Sequence, residues 1–364
     1  MRTIEVKHFA GFYNYIIQKG LITEGGSFPL SDERKRACII IDEKVHSLYL
    51  NNVVEFFGKY FDLTDPVIIT AQESSKAIDY YLKVIDSLIQ RKIDRKTIII
   101  SVGGGITGDL ASFAASTFMR GISYIQVPTT LLSMVDSALG GKTGINYLNF
   151  KNFIGSFHQP LAVFCDPSFL KTLQYKEILS GMGEVIKYGF IEGNYLFDYL
   201  IQNMSKILER DENLLEEVIY NSAMCKAKII MMDERDTGER HKLNLGHTFG
   251  HAFEKALHFS VSHGICVSAG IETSLSLSKV LGIIDDQMFD KLVDLPKKLP
   301  FPSEIRDLKF KDVYNAMFAD KKVENGKLKF VLVKSPGEII TGVEAEEEQV
   351  RYAYEETIKS RFNQ

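Results

Sequence analysis

Residues 97–128 read TIIISVGGGITGDLASFAASTFMRGISYIQVP, and the order of the parts in this stretch sets the fold. The apolar run at 97–102 has the unbroken character of a strand buried on both faces. Three glycines follow, then TGDLASFAASTFM at 107–119 places apolar residues at helical spacing, and ISYIQV at 122–127 is a second apolar run. Strand, tight turn, helix and strand make one parallel βαβ unit. The same alternation precedes it: RACIIID at 36–42 and a helical pattern at 45–61, then VIIT at 67–70 and a helical pattern at 74–92. Repeated alternation predicts a mostly parallel sheet covered by helices, whose ligands bind at the carboxyl ends of the strands.

After Asp166-Pro167-Ser168 the texture changes. Long helical patterns such as 214–234 and 264–282 dominate, with no apolar β run until LKFVLV at 328–333. The expected fold class is therefore α/β: a Rossmann-like nucleotide-binding domain over residues 1–167, followed by an all-helical C-terminal domain over 168–364. The charged tail at 342–362 reads as a solvated helix with no function. At 364 residues with 45% hydrophobic and 25% charged side chains, the chain has material for about two domains. A net charge of -4 excludes the basic surplus of a nucleic-acid binder. No apolar run reaches the roughly 18 residues of a membrane span. Cys38, Cys165, Cys225 and Cys266 are widely spaced and form no C-x-x-C pair, so reduced thiols and a cytoplasmic location are expected.

Three constellations carry chemistry. Gly103-Gly104-Gly105-Ile106-Thr107-Gly108 matches G-x-G-x-x-G straight after a strand and at a helix start, where backbone N–H groups can hold a pyrophosphate. The acid expected about 20 residues on is missing, and Asp42, at the end of the first strand, is the candidate ribose reader. A structural glycine turn is the plain alternative. Residues 128–160, PTTLLSMVDSALGGKTGINYLNFKNFIGSFHQP, set Asp136, Lys142, Asn146, Lys151 and Asn152 among glycines, a composition suited to a ligand-contacting loop. Each lysine alone would read as a solvated side chain. LNLGHTFGHAFE places His247 and His251 one helical turn apart, His263 follows, and Glu184 with Lys187 lies in GMGEVIKYG, read as a short helix. Two histidines and a carboxylate or third histidine would make a catalytic metal site, and spacing alone leaves the third ligand open. For Glu184 the plain alternative is a surface carboxylate paired to Lys187.

Taken together, the blocks GGGITGD, RGISYIQVPTTLLSMVDSALGGKTGIN, KNFIGSFHQP, GMGEVIKYG, KAKIIMMDERDTGERHKLNLGHTFGHAFE, HGICVSAG and DKKVENGKLKFVL make the chain resemble the 3-dehydroquinate synthases, sugar phosphate cyclases of the shikimate pathway. The resemblance implies a nucleotide-binding domain and a helical domain with the active site between them. It implies conversion of 3-deoxy-D-arabino-heptulosonate 7-phosphate to 3-dehydroquinate and phosphate, with NAD and a divalent metal, usually zinc with cobalt also accepted, as cofactors and a homodimer as the working form. The metal ligands it implies are Glu184, His247 and His263. The NAD contacts are Asp42, Glu73, Lys76, Gly104, Gly105, Asp109, Thr129, Thr130 and Thr172. Catalytic positions are Asp136, Lys142, Lys187, Asn244 and His251, and substrate positions are Arg120 (across a dimer interface), Lys151, Asn152, Lys226, Arg240 and one of Lys321 and Lys322. Asp236 stands where the family has a glutamate. The chemistry suits the residues: a doubly charged leaving phosphate needs fixed cations, and a substrate carboxylate suits the two-pronged guanidinium of Arg240, with Lys226 beside it. Rival readings are another sugar phosphate cyclase, a metal-dependent polyol dehydrogenase without a phosphate pocket, and a catalytically dead binding module.

Overall fold

The computed structural model describes residues 1–27, 35–148, 150–236, 238–318 and 328–362. The chain forms two compact units, one of residues 1–173 with 215–231 and one of residues 174–214 with 232–364. The first break lies six residues beyond the expected boundary, and the helix at 215–231 returns to the first unit rather than staying with its sequence neighbours.

In the first unit, β1 (Arg2–His8) and β2 (Gly11–Ile17) form an antiparallel hairpin. β3 (Lys35–Asp42) leads into α1 (Glu43–Gly58), followed by β4 (Phe61–Leu63), β5 (Val67–Ile69) and α2 (Ile78–Gln90). β6 (Ile98–Gly103), α3 (Gly105–Thr117) and β7 (Tyr124–Pro128) are the βαβ unit expected from residues 97–128. β8 (Lys142–Tyr147) and β9 (Phe150–Phe157) pair as a separate antiparallel hairpin, and β10 (Ala162–Cys165) completes the main sheet. The sheet order is β1-β2-β10-β7-β6-β3-β4, with β5 also on β3, and every pairing except β1 with β2 is parallel. Chain order reverses direction between β3 and β6, because the strands after β3 run outward on one side and β7 lies on the other. Such a switch point opens a crevice at the strand carboxyl ends. Here those ends carry Asp42 and the glycine turn.

Two expectations change. Residues 128–160 are not a loop: a π-helical turn at Ser133–Ser137 precedes the β8–β9 hairpin. The N-terminal strands were not expected, although Ile4 and Val6 alternate with exposed Thr3, Glu5 and Lys7, a half-buried strand pattern. The segment after β2 is tied down by Asp166, which follows β10. Its fully buried carboxylate accepts Gly20 N–H (2.8 Å), Ile22 N–H (2.9 Å), Thr23 N–H and O–H (both 2.9 Å) and Ser168 N–H (3.0 Å).

The second unit holds α4 (Tyr175–Glu192) and α5 (Asn194–Leu208); α6 (Glu212–Met232) is the helix that rejoins the first unit. Then follow α7 (His247–Ala256), α8 (His263–Val280), α9 (Asp286–Lys297), α10 (Phe310–Met317), the hairpin β11 (Phe330–Ser335) and β12 (Glu338–Val343), and α11 (Glu347–Phe362). The unit is helical apart from that hairpin, and its core gathers Phe249, Phe253, Leu277, Leu332 and Tyr354. α11 is not merely a solvated face. Val350, Ala353, Tyr354 and Thr357 are buried, and the Arg361 fork grips buried Glu272 of α8, with Nε–Oε2 at 2.9 Å and Nη2–Oε2 at 2.7 Å.

Asp166→Ala would strand several buried N–H groups at once, and each such group costs about 1–3 kcal/mol. The expected result is a loss of about 3 kcal/mol or more, read as a lower urea midpoint with an unchanged slope.

Candidate active site

Nucleotide-type residues collect in the first unit. β6 runs straight into α3, whose N-cap, Gly104, offers no side-chain cap. The first N–H groups of that helix are thus available to an anion. Gly108 is required for packing, since a Cβ there would strike the Gln126 side chain of β7. Thr129 N–H donates to the Gly103 carbonyl at 3.0 Å, which holds Thr129 and Thr130 beside the turn. A Cβ on Gly104 would sit 3.0 Å from the Thr130 methyl, and one on Gly105 would sit 3.1 Å from Ser137 Oγ. The glycine turn, the Thr129-Thr130 pair and the π-helical turn bearing Asp136 therefore share one corner of the sheet.

Around that corner, Lys76 pairs with Asp109 of α3, and the pair is largely withdrawn from solvent. Burial raises the Asp109 carboxyl above its ordinary range against the pull of Lys76. Glu73 Oε1 accepts Asn146 Nδ2–H at 2.7 Å, and Asn146 Oδ1 accepts Asn152 N–H at 2.9 Å, so one asparagine ties the Glu73–Lys76 segment to the hairpin. Asp42 Oδ1 caps α1 through Lys44 N–H (2.9 Å) and Val45 N–H (3.2 Å), while Oδ2 accepts Ala71 N–H at 3.3 Å. A carboxylate has about four acceptor positions, so the capping role leaves room for one more donor. Thr172 bonds Tyr49 of α1 at 2.9 Å.

The substrate-type residues separate. Lys226 of α6 donates to the Asp136 carbonyl (2.7 Å) and Oδ1 (2.8 Å), an ion pair between residues far apart in sequence. That pair gives Lys226 a partner other than Arg240, which belongs to the second unit. Lys142 opens β8 opposite Phe157, whereas Lys151 and Asn152 lie near the turn of the hairpin. Strand rise puts them about 13 Å along the ribbon from Lys142, so the hairpin does not bring these three together. Arg120 is exposed on a left-handed pair, Met119 (φ 49°) and Arg120 (φ 70°), where Arg95 Nη2–H donates to the Met119 carbonyl at 3.0 Å. Lys321 and Lys322 lie outside the described residues.

The second unit builds the metal-type cluster from three helices that touch backbone to backbone. A Cβ at Gly183 of α4 would collide with the Gly264 carbonyl of α8, and one at Gly264 would collide with the Ser180 carbonyl of α4. Across α7 and α8, a Cβ at Gly270 would collide with the Gly246 carbonyl. Each of these contacts adjoins a candidate ligand: Glu184 follows Gly183, His263 precedes Gly264, and His247 follows Gly246.

The result is convergent. Glu184, fully buried on an eighteen-residue helix rather than a short exposed one, turns Oε1 to His263 Nε2 at 3.1 Å and to His247 Nε2 at 3.4 Å. Its Oε2 pairs with Lys187, also buried. On the far side of the rings, His247 Nδ1–H donates to the Leu245 carbonyl at 3.1 Å, and His263 Nδ1–H donates to Glu254 Oε2 at 3.0 Å. Burial works against the Glu184 charge, yet Lys187 and the two imidazoles hold the carboxyl well below its ordinary range. Burial pushes His247 down to about 4 against the attraction of Glu184. His263 is lifted to about 10, because its bonds to Glu184 and Glu254 outweigh burial. His251 joins the cluster, with ring nitrogens of His247, His251 and His263 within 4.8 Å of one another. One carboxylate and two imidazoles with tied Nδ1 atoms fit a divalent metal of the zinc type. Half-buried Asn244 ends the turn at Glu239–Asn244 just before His247. In the same turn buried Arg240 donates Nη1–H to the Glu234 carbonyl at 2.8 Å, and Asp233 Oδ2 accepts Arg240 N–H at 3.1 Å.

Sequence reading missed Glu254, Asp233 and the bridging role of Asn146. The signal for Glu254 is a carboxylate two helical turns after His247, on the face that also carries His251. Gly264→Ala should push α4 and α8 apart. Zinc affinity, read by chelator competition, is expected to fall at least about tenfold, the scale seen when the surroundings of a metal site are disturbed.

Family models described as 3-dehydroquinate synthase N-terminal and 3-dehydroquinate synthase C-terminal match residues 66–180 and 181–323. A 3-dehydroquinate synthase from Ruminiclostridium cellulolyticum is 37% identical over 84% of this chain and 85% of its own length. Another from Nitrosospira multiformis is 39% identical over 84% of each chain. Among solved structures, the 2-epi-5-epi-valiolone synthase of Streptomyces hygroscopicus subsp. jinggangensis, solved with NAD+ and Zn2+ bound, superposes with a TM-score of 0.87. It is 22% identical, over 99% of this chain and 100% of that one, a likeness of fold. With identity at this level sustained through both halves, the chain belongs to the 3-dehydroquinate synthase family.

Proposed function

We propose that the chain converts 3-deoxy-D-arabino-heptulosonate 7-phosphate into 3-dehydroquinate and inorganic phosphate, using and regenerating NAD at the α3 glycine turn and holding a divalent metal with Glu184, His247 and His263. The observation that carries this reading is the convergence of His247 Nε2 and His263 Nε2 on Glu184 Oε1 while both Nδ1 atoms are tied behind. That arrangement aims three donors at one point and favours this set over one built from the three histidines. The metal supplies the positive charge that acidifies a substrate hydroxyl, and NAD supplies a hydride acceptor that gives the hydride back within the turnover. Zinc suits the donors, and cobalt accepts the same ones.

The chain's own residues do the rest. The uncapped start of α3 takes the pyrophosphate, and the remaining acceptor position of Asp42 takes a ribose hydroxyl. Glu73, Lys76, Asp109, Thr129, Thr130 and Thr172 frame the dinucleotide. Lys187 holds the Glu184 charge in place, so that the carboxylate stays ionised toward the metal. His251 faces the substrate from the same helical side as His247, and Asn244 beside it hydrogen-bonds a substrate hydroxyl. The leaving phosphate, close to doubly charged, is received by Lys142, Lys151, Asn152 and one of Lys321 and Lys322, and its own oxygen takes the proton released at the neighbouring carbon. Arg240 keeps four of its five donors after its bond to Glu234 and forks onto the substrate carboxylate. Lys226, engaged with Asp136, holds that acid in position. For the closing aldol step the pocket enforces proximity between groups of one molecule. The working form is a cytoplasmic homodimer in which the exposed, left-handed Arg120 reaches the neighbouring copy's phosphate. Among the described residues no helix is long and apolar enough to cross a membrane.

Mixed with NAD, zinc and the heptulosonate phosphate, the protein should release phosphate with no net absorbance of NADH. Accumulating NADH without phosphate would indicate a polyol dehydrogenase instead. Glu184→Gln should bring phosphate release to background with the circular dichroism unchanged. Arg240→Lys keeps the charge but loses the planar fork, so KM should rise at least about tenfold, the order expected for a charge-assisted bond worth about 1.5–3 kcal/mol. An unchanged KM would remove Arg240 from carboxylate binding.

A further inference from the structure

Glu254 is a carboxylate that the proposed reaction does not use, and burying one is costly unless it is bonded. It lies on α7 with 4% of its surface exposed. Its Oε2 accepts His263 Nδ1–H at 3.0 Å, while Nε2 of the same ring stands 3.1 Å from Glu184 Oε1. A neutral imidazole has one N–H and one lone pair. The bond to Glu254 therefore fixes the proton on Nδ1 and the lone pair on Nε2, facing Glu184. His247 is oriented in the same sense by a neutral acceptor, the Leu245 carbonyl at 3.1 Å. The two rings thus have unequal support: a charge stands behind one and a peptide dipole behind the other.

We infer that Glu254 is a positioning residue for the metal centre, which sets the tautomer and donor strength of His263 and through them the affinity for a divalent cation. This rests on the metal reading of Glu184, His247 and His263. Orientation alone needs only an acceptor, as His247 demonstrates. The charge adds electron density to the ring, which strengthens its bond to a cation. A purely structural role for Glu254, as a polar plug between α7 and α8, would leave cation affinity untouched once the chain is folded.

The test is zinc affinity by chelator competition on full-length protein, for wild type, Glu254→Gln and Glu254→Ala, with circular dichroism confirming the fold. Glutamine keeps an acceptor without the charge, and alanine removes both. The expected losses are about tenfold for glutamine and about a hundredfold for alanine. The visible absorption of the cobalt-loaded alanine variant should also shift, because the freed ring alters the cation's surroundings. Folded variants that hold zinc within about twofold of wild type would overturn the inference while leaving the metal reading intact. A wild-type protein that holds no zinc would overturn both. Should the alanine variant fail to fold, the glutamine variant decides alone.

Discussion

Close contact between helix backbones is the constraint on which the second unit depends. α4, α7 and α8 approach so nearly that a single added carbon at Gly183, Gly264 or Gly270 would run into a neighbouring carbonyl. Ordinary side chains hold helices 8–10 Å apart. Glycines at the crossings let the axes come nearer, and the residues next to those glycines then face one another. Glu184, His247 and His263 meet because their neighbours have no side chains. Around them the chain invests buried charge: Lys187 behind the carboxylate and Glu254 behind one imidazole. Such charges are tolerated where each has a partner.

The first unit follows a different rule. Its sheet is ordered so that chain direction reverses between β3 and β6, and this reversal leaves a crevice at the strand ends. Everything suited to a dinucleotide lies on strand ends or the turns after them: Asp42 after β3, the glycine turn after β6, and Thr129 and Thr130 after β7. α6, although it comes after two helices of the second unit, returns to this unit and lays Lys226 against Asp136. Neither partner need find the other through local sequence, because a helix of 21 residues carries the lysine there rigidly.

Much of the α/β part is legible in sequence. Runs such as IIIS and CIII are too short and too apolar for surface helices, and the glycines between them mark where each strand turns. The N-terminal hairpin is equally regular, with Ile4 and Val6 on one face, but it lies outside the strand–helix alternation that identifies the rest. β8 and β9 are obscured for a physical reason. Polar lysines and asparagines interrupt an exposed ribbon with little core-facing signal, and β9 is almost wholly solvent-facing. At the metal-type cluster, spacing on one helix brings out His247 and His251 as a pair, while the partners from α4 and α8 depend on which glycines cross. That pairing is a property of the packed helices and has no periodicity along the chain. The acceptors behind the rings, Glu254 and the Leu245 carbonyl, are hidden for the same reason.

The most direct measurement is a crystal structure of the zinc-loaded protein with anomalous data collected on both sides of the zinc absorption edge. The account predicts one strong peak at about 2.0–2.2 Å from Glu184, His247 Nε2 and His263 Nε2, with His251 outside that shell. A peak held by His247, His251 and His263 without Glu184, or no peak at this cluster, would contradict it.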